Sequence, residues 1–229
     1  MRMERKIFGR TLLVAGGEVD IYFAKEYVET EHFDTIIGVD AGLDAIKKMG
    51  IQADFVMGDF DSVSPAIILE YAELRQHQGT RFLQYPTKKD ATDLHLALYM
   101  AASKKPEEIV ILGATGRRMD HFMANIHILS RVLQFGVPVS ILDQYNRIYL
   151  LEGKREFKRK EMYGPYISFL PFFERAKGVT LKGFLYELFD AELVKGDSIG
   201  VSNEFPEKGE LATAEVKEGV LIVVESKDE

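Results

Sequence analysis

Aspartate carries most of the chemistry this sequence offers. Of its 14 aspartates, nine fall between Asp34 and Asp120, several of them directly after short apolar runs. Aspartate rather than glutamate at strand ends points to turns, helix caps or metal ligands. Gly58-Asp59-Phe60-Asp61-Ser62 is the first such place. If the extended backbone before it continues, Asp59 and Asp61 share one side by the period of two. Two carboxylates so placed repel unless a cation lies between them. Mg²⁺, which takes oxygen ligands and keeps several waters, is the natural choice. A turn is the other reading, with Asp61 folding on its own backbone, Ser64 capping a helix and Pro65 at its first position. That account is accepted for Ser64 and Pro65; for Asp59 with Asp61 the metal is favoured. Lys88-Lys89-Asp90-Ala91-Thr92-Asp93 opens another helix. Asp90 and Asp93, three residues apart, share a helix face and can meet one cation. Equally, Asp90 as N-cap and Asp93 in the first turn would favour the helix dipole.

Gly113-Ala114-Thr115-Gly116-Arg117-Arg118-Met119-Asp120-His121 suits a different task. A Gly-containing loop between a strand and a helix exposes N–H groups at a helix N-terminus, ready for phosphate. Arg117 and Arg118 add donors shaped for phosphate oxygens. It is not a Walker A loop, since no Gly-Lys-Ser/Thr follows. Asp120 also reads as a first-turn acid, and His121 as a histidine satisfied on its helix. The turns Ala15-Gly16-Gly17 and Asp40-Ala41-Gly42 are weak signals taken singly.

These residues need a scaffold, and the first two thirds of the chain describe one. β-rich apolar runs at 11–15, 35–39, 54–57, 81–84, 108–112 and 138–142 alternate with helical patterns at 21–29, 43–49, 65–77, 92–103 and 119–135. In the fourth helix Leu94, Ala97, Leu98 and Ala101 make one apolar stripe. Alternation of this kind means βαβ crossovers, hence an α/β domain with a mainly parallel sheet covered by helices on both faces. After about Leu151 the helical period disappears. Short runs at 166–172, 178–181, 198–201, 211–216 and 220–225, separated by Gly-containing turns, predict a smaller all-β sandwich or barrel. The boundary is expected at 150–156, giving domains 1–150 and 151–229. The basic stretch 154–160 reads as a solvated strand or linker.

Composition narrows the function classes. The chain has 229 residues, 46% of them hydrophobic, and a net charge of -7, which argues against a nucleic-acid binder. With no Cys there is no disulfide framework, thiolate nucleophile or Cys-ligated metal. The apolar run after the basic residues 1–10 is too short for a signal peptide, and nothing approaches a membrane span. A cytoplasmic protein is expected.

In combination the weak turns gain weight. Gly16-Gly17 with Asp20, Val39-Asp40-Ala41-Gly42, the Asp59 and Asp61 segment, Lys89-Asp90-Ala91-Thr92-Asp93 and the 113–121 loop follow in this order, each at a strand end. The set resembles the thiamin pyrophosphokinase family, as does Ser202-Asn203-Glu204-Phe205 in the second domain, and the resemblance covers nearly the whole chain. Ala41 and Arg117 stand where the family commonly has a second glycine. The resemblance implies transfer of pyrophosphate from ATP to the thiamin hydroxyl, giving AMP and thiamin diphosphate. It implies Mg²⁺ held by Asp59, Asp61, Asp90 and Asp93, with one of them or an oriented water accepting the hydroxyl proton. Asp40, Gly42, Thr115, Gly116, Arg118, Asp120 and His121 would bind nucleotide, Ser202 and Asn203 the thiamin pyrimidine, and a homodimer would form the active sites between its chains. Two alternatives stand beside it: a related pyrophosphokinase for another heterocyclic alcohol of hydroxymethylpterin type, and a non-catalytic nucleotide sensor. Ser202-Asn203 argues against the first and the four retained carboxylates beside Arg118 against the second.

Overall fold

The computed structural model describes residues 8–59, 80–86, 90–116 and 118–228. The helix expected at 65–77 lies outside them, as do Asp61, Ser64, Pro65, Lys88, Lys89 and Arg117. The chain divides into two units, one up to Gln144 and one from Tyr145. The division expected at 150–156 falls within an unbroken strand, β7 (Asn146–Lys158), whose residues all lie in the second unit.

In the first unit β1 (Arg10–Val14), β2 (Thr35–Val39), β3 (Phe55–Gly58), β4 (Arg81–Gln84), β5 (Glu108–Leu112) and β6 (Val139–Leu142) form a parallel sheet. The order is β6-β5-β1-β2-β3-β4. Strands β1, β2, β3 and β5 are buried at nearly every residue, as strands covered on both faces must be, while edge strand β4 is partly exposed. The covering helices include α1 (Ile21–Glu31), α2 (Gly42–Met49), α3 (Asp93–Ser103) and α4 (Met119–Ile128). Asp20 caps α1, accepting the Phe23 N–H at 2.9 Å. Thr92, rather than Asp90, caps α3 by accepting the His95 N–H at 3.2 Å. The helix expected over 119–135 divides: α4 stops at Ile128 and a 3-10 segment, Leu129–Phe135, follows.

The second unit is antiparallel: β7, β8 (Tyr166–Pro171), β9 (Arg175–Lys182), β10 (Leu188–Val194), β11 (Asn203–Glu204) and β12 (Leu211–Ser226). β12 pairs with β7 along its length, and on its other side it changes partner from β9 to β8. An irregularity between Val216 and Leu221, where Gly219 has φ 100°, makes the change. The runs expected as separate strands at 211–216 and 220–225 are thus one strand. The run at 198–201 is a turn closed by the Val201 N–H on the Ser198 carbonyl, and the basic stretch lies largely in β7. Phe157, Phe169, Phe184 and Phe205 meet edge-on with centroids 5.4–6.0 Å apart and anchor the core of this layer. Glu225, only 2% exposed, accepts the Tyr149 hydroxyl and the Tyr163 N–H, each at 2.8 Å, and faces Arg147 at 3.7 Å. Burial, reinforced by that carboxylate, pushes the Tyr149 phenol well above its ordinary range. Among the described residues no helix is long and apolar enough to cross a membrane.

Candidate active site

Open parallel sheets bind ligands beyond the carboxyl ends of their strands, where the strand order reverses. With β1 between β2 and β5, that reversal falls between β1 and β5. The loops leaving these two strands interlock. The Ala15 N–H donates to the Leu112 carbonyl at 2.8 Å, and the Gly17 N–H to the Gly113 carbonyl at 2.9 Å. Any side chain at Gly17 would collide with the carbonyl oxygens of Gly113 and Thr115, so this approach requires glycine. A cavity of about 960 Å³ opens there. Its walls are residues 15–18, Asp40 and Ala41 after β2, Asp59 after β3, residues 90–94 entering α3, residues 113–115 after β5, and Arg118 with the first turns of α4.

Three carboxylates converge on this cavity. One oxygen each from Asp40, Asp59 and Asp93 can lie within 4.8 Å of the others, all three residues being half-buried. Asp40 reaches the group from a left-handed backbone, φ 50°, which Asp tolerates better than most side chains. Its N–H donates to the Met57 carbonyl at 2.8 Å and its carbonyl accepts from Leu43 at 3.2 Å, so both neighbouring elements hold that turn. Asp40, expected among the nucleotide ligands, therefore sits with Asp59 and Asp93. Asp90 lines the same cavity outside the trio, and Asp61 lies outside the described residues. Three oxygen donors of this kind suit a hard divalent cation.

Thr115, Arg118, Asp120 and His121 also line the cavity. Gly42 and Gly116 do not: Gly42 packs the start of α2 against the Val14 carbonyl, and Gly116, φ 124°, turns the loop past Glu18. Arg118 donates to both carboxylate oxygens of Asp120, Nε at 3.2 Å and Nη2 at 2.5 Å. That hydrogen bond holds the Asp120 carboxyl at about 2, against an ordinary 3.8. Its folded value is depressed, so the pair's contribution is present above pH 3.8 and lost as pH falls through about 2. Asp120 is expected to titrate near 2 by NMR, and to return toward 3.8 in Arg118→Ala. An unmoved midpoint in that variant would show that Arg118 is not the cause.

In the second unit Ser202 and Asn203 part company. Ser202 is exposed, with φ 54° and its N–H on the Ser168 hydroxyl at 3.0 Å. Asn203 is 3% exposed and spends its amide internally. Its Oδ1 accepts from Tyr186 N–H at 3.0 Å and Glu204 N–H at 2.9 Å, and its Nδ2 donates to the Tyr186 carbonyl at 2.7 Å. Asn203 builds the loop 183–187 rather than offering an open amide to a ligand.

The sequence matches the model of the thiamin pyrophosphokinase catalytic domain over residues 27–141 and that of the vitamin B1 binding domain over residues 154–221. Together these span well over half of the chain. The chain belongs to the thiamin pyrophosphokinase family. A thiamine pyrophosphokinase of Bacillus subtilis is 33% identical over 217 residues, 94% of this chain and 98% of that one. A crystal structure from Bacillus subtilis superposes with a TM-score of 0.82 at 30% identity, covering 96% of this chain and 100% of the other. One from Geobacillus thermodenitrificans gives 0.78 at 27%, covering 96% and 98%. As a member of the thiamin pyrophosphokinase family this chain is an enzyme. Four lining residues, Glu18, Ala124, Phe122 and Asn125, went unnoticed in the sequence. For the last two the signal was present: Phe122 stands four residues after Arg118 and Asn125 four after His121, the spacing of one helix face.

Proposed function

We propose that the enzyme transfers the terminal pyrophosphoryl group of ATP to the hydroxyl of thiamin. The carrying observation is that the trio Asp40, Asp59 and Asp93 shares one cavity with Thr115, Arg118, Asp120 and His121. The thiamin oxygen attacks the β-phosphorus, and the bond from that phosphorus to the α,β-bridging oxygen breaks. AMP leaves with that oxygen, and the hydroxyl proton passes to a carboxylate of the cluster or to water beside it. Asp40, Asp59 and Asp93 would hold Mg²⁺, with Asp90 and Asp61 proposed as further or water-mediated ligands. When bound, the ion supplies charge neutralisation on the polyphosphate oxygens. The protein's own work is to orient the chain of phosphates in line with the acceptor: Thr115 and Arg118 take phosphate oxygens, and His121 and Asp120 border them. The first unit thus handles nucleotide and metal, and the second supplies the thiamin pocket, with Ser202 at its rim. A homodimer acting in the cytoplasm completes the reading. Exposed Leu185, Tyr186, Phe189 and Ile199 support self-association, which light scattering of the purified protein tests.

Incubation with ATP, Mg²⁺ and thiamin, followed by chromatography, is expected to yield AMP and thiamin diphosphate in equal amounts. ADP in place of AMP, or no nucleotide consumption, would overturn the reaction. Arg118→Ala is expected to raise the ATP requirement while sparing that for thiamin, because it removes a charge-assisted phosphate contact.

A further inference from the structure

Helix α4 borders the cavity yet buries none of its own residues. Its apolar Phe122, Ile126 and Ile128 are only half-buried, and full burial begins past its end, at Leu129 and Val132 of the 3-10 segment. A helix anchored beyond its C-terminus needs a second fixed point if its first turn is to keep register with the loop that precedes it. Asn125 supplies one: its Nδ2 donates to the Ala114 carbonyl at 2.8 Å. The adjacent Gly113 carbonyl is taken by the Gly17 N–H. Two successive carbonyls of the loop are therefore tied, one to the β1 loop and one to α4. In a trans peptide the carbonyl and the following N–H point opposite ways. Holding the Ala114 carbonyl therefore also fixes the direction of the Thr115 N–H, at a residue that lines the cavity. Asn125 shares its helix face with His121 and Phe122, and all three line the cavity.

We infer that Asn125 is a positioning residue for the nucleotide, a latch between α4 and the 113–116 loop that sets the Thr115 amide and Arg118 for the polyphosphate. The inference rests on the nucleotide reading of the site given above. The test compares Asn125→Ala, Asn125→Asp and Asn125→Gln by calorimetric binding of ATP with Mg²⁺ and by steady-state kinetics with each substrate varied. Asn125→Ala is expected to weaken ATP about two- to twelvefold, the scale of one lost hydrogen bond, with the thiamin KM unmoved. Asn125→Asp is expected to be worse, because it sets a carboxylate oxygen against the Ala114 carbonyl, and Asn125→Gln to recover most of the affinity by keeping the donor. Wild-type ATP affinity in both the Ala and Asp variants overturns the latch. So does equal weakening of ATP and thiamin with no difference between Ala and Asp, which is the pattern of a merely structural residue. If the unaltered chain binds ATP but forms no thiamin diphosphate, the acceptor reading fails and the calorimetric series still decides the latch. If it binds no ATP, the nucleotide reading fails and the latch falls with it.

Discussion

Asp59→Asn and Asp93→Asn are each expected to lower turnover by about two to three orders of magnitude, the scale of losing one preorganised charge at a reacting centre. Stability should move the other way. Without a cation, the close approach of the Asp40, Asp59 and Asp93 carboxylates is repulsive, and neutralising one relieves it. In chelator the thermal midpoint of either variant should equal or exceed that of the unaltered chain. Added Mg²⁺ should raise the midpoint of the unaltered chain, because a ligand bound only to the folded state stabilises it, and should raise the variants less. Paired kinetics and melting, with and without chelator, read both effects. Undiminished turnover of the unaltered protein after exhaustive chelation would sink the metal role. Variants that unfold while keeping activity per folded molecule would mark the aspartates as turn residues.

Asn203→Ala is expected to act on the second unit as a whole, and Ser202→Ala on substrate alone. Truncating Asn203 strands the Tyr186 N–H and carbonyl and the Glu204 N–H. Three part-buried hydrogen bonds are lost together, each worth about 0.5–1.5 kcal/mol, so urea unfolding should shift and thiamin use should fall with it. Ser202, exposed and bonded through its N–H, can lose its hydroxyl without loss of fold. Its removal should raise the thiamin KM about two- to twelvefold, the value of one hydrogen bond, and leave that for ATP alone. The reverse pattern, a stable Asn203→Ala that is merely weak for thiamin, would place that amide on the substrate.

The first unit was legible because its strands and helices announce themselves by period and by turn residues at their ends. Strands β2, β4 and β5 have the expected bounds. The second unit was harder for a physical reason. Val216-Lys217-Glu218-Gly219-Val220 has the chemistry of a turn, and a bulge uses the same chemistry. Only pairing with β7, more than fifty residues earlier in sequence, keeps β12 whole. β10 escaped notice because Asp190, at φ 50°, breaks the alternation within it. At the site, Asp59 and Asp93 could be found from strand-end and helix-start spacing. Asp40 joins them through a left-handed turn that no spacing rule encodes. The Asn203 amide bonds the backbone of Tyr186, a partner that no side-chain motif displays.

The place of β1 in the first sheet has a cost during synthesis. β1 holds the middle of the order, yet its neighbour β5 arrives late, with Arg10 and Glu108 separated by 98 positions. At about 5–20 residues per second a ribosome needs roughly 5–20 s to make the intervening chain. Through that interval the Leu12-Leu13-Val14 edge that will face β5 has no native partner, whereas the hairpin of β9 and β10 can close as soon as it emerges. Chaperones that shield short aliphatic strands should therefore engage nascent chains of this enzyme before residue 108 is made and release them afterwards.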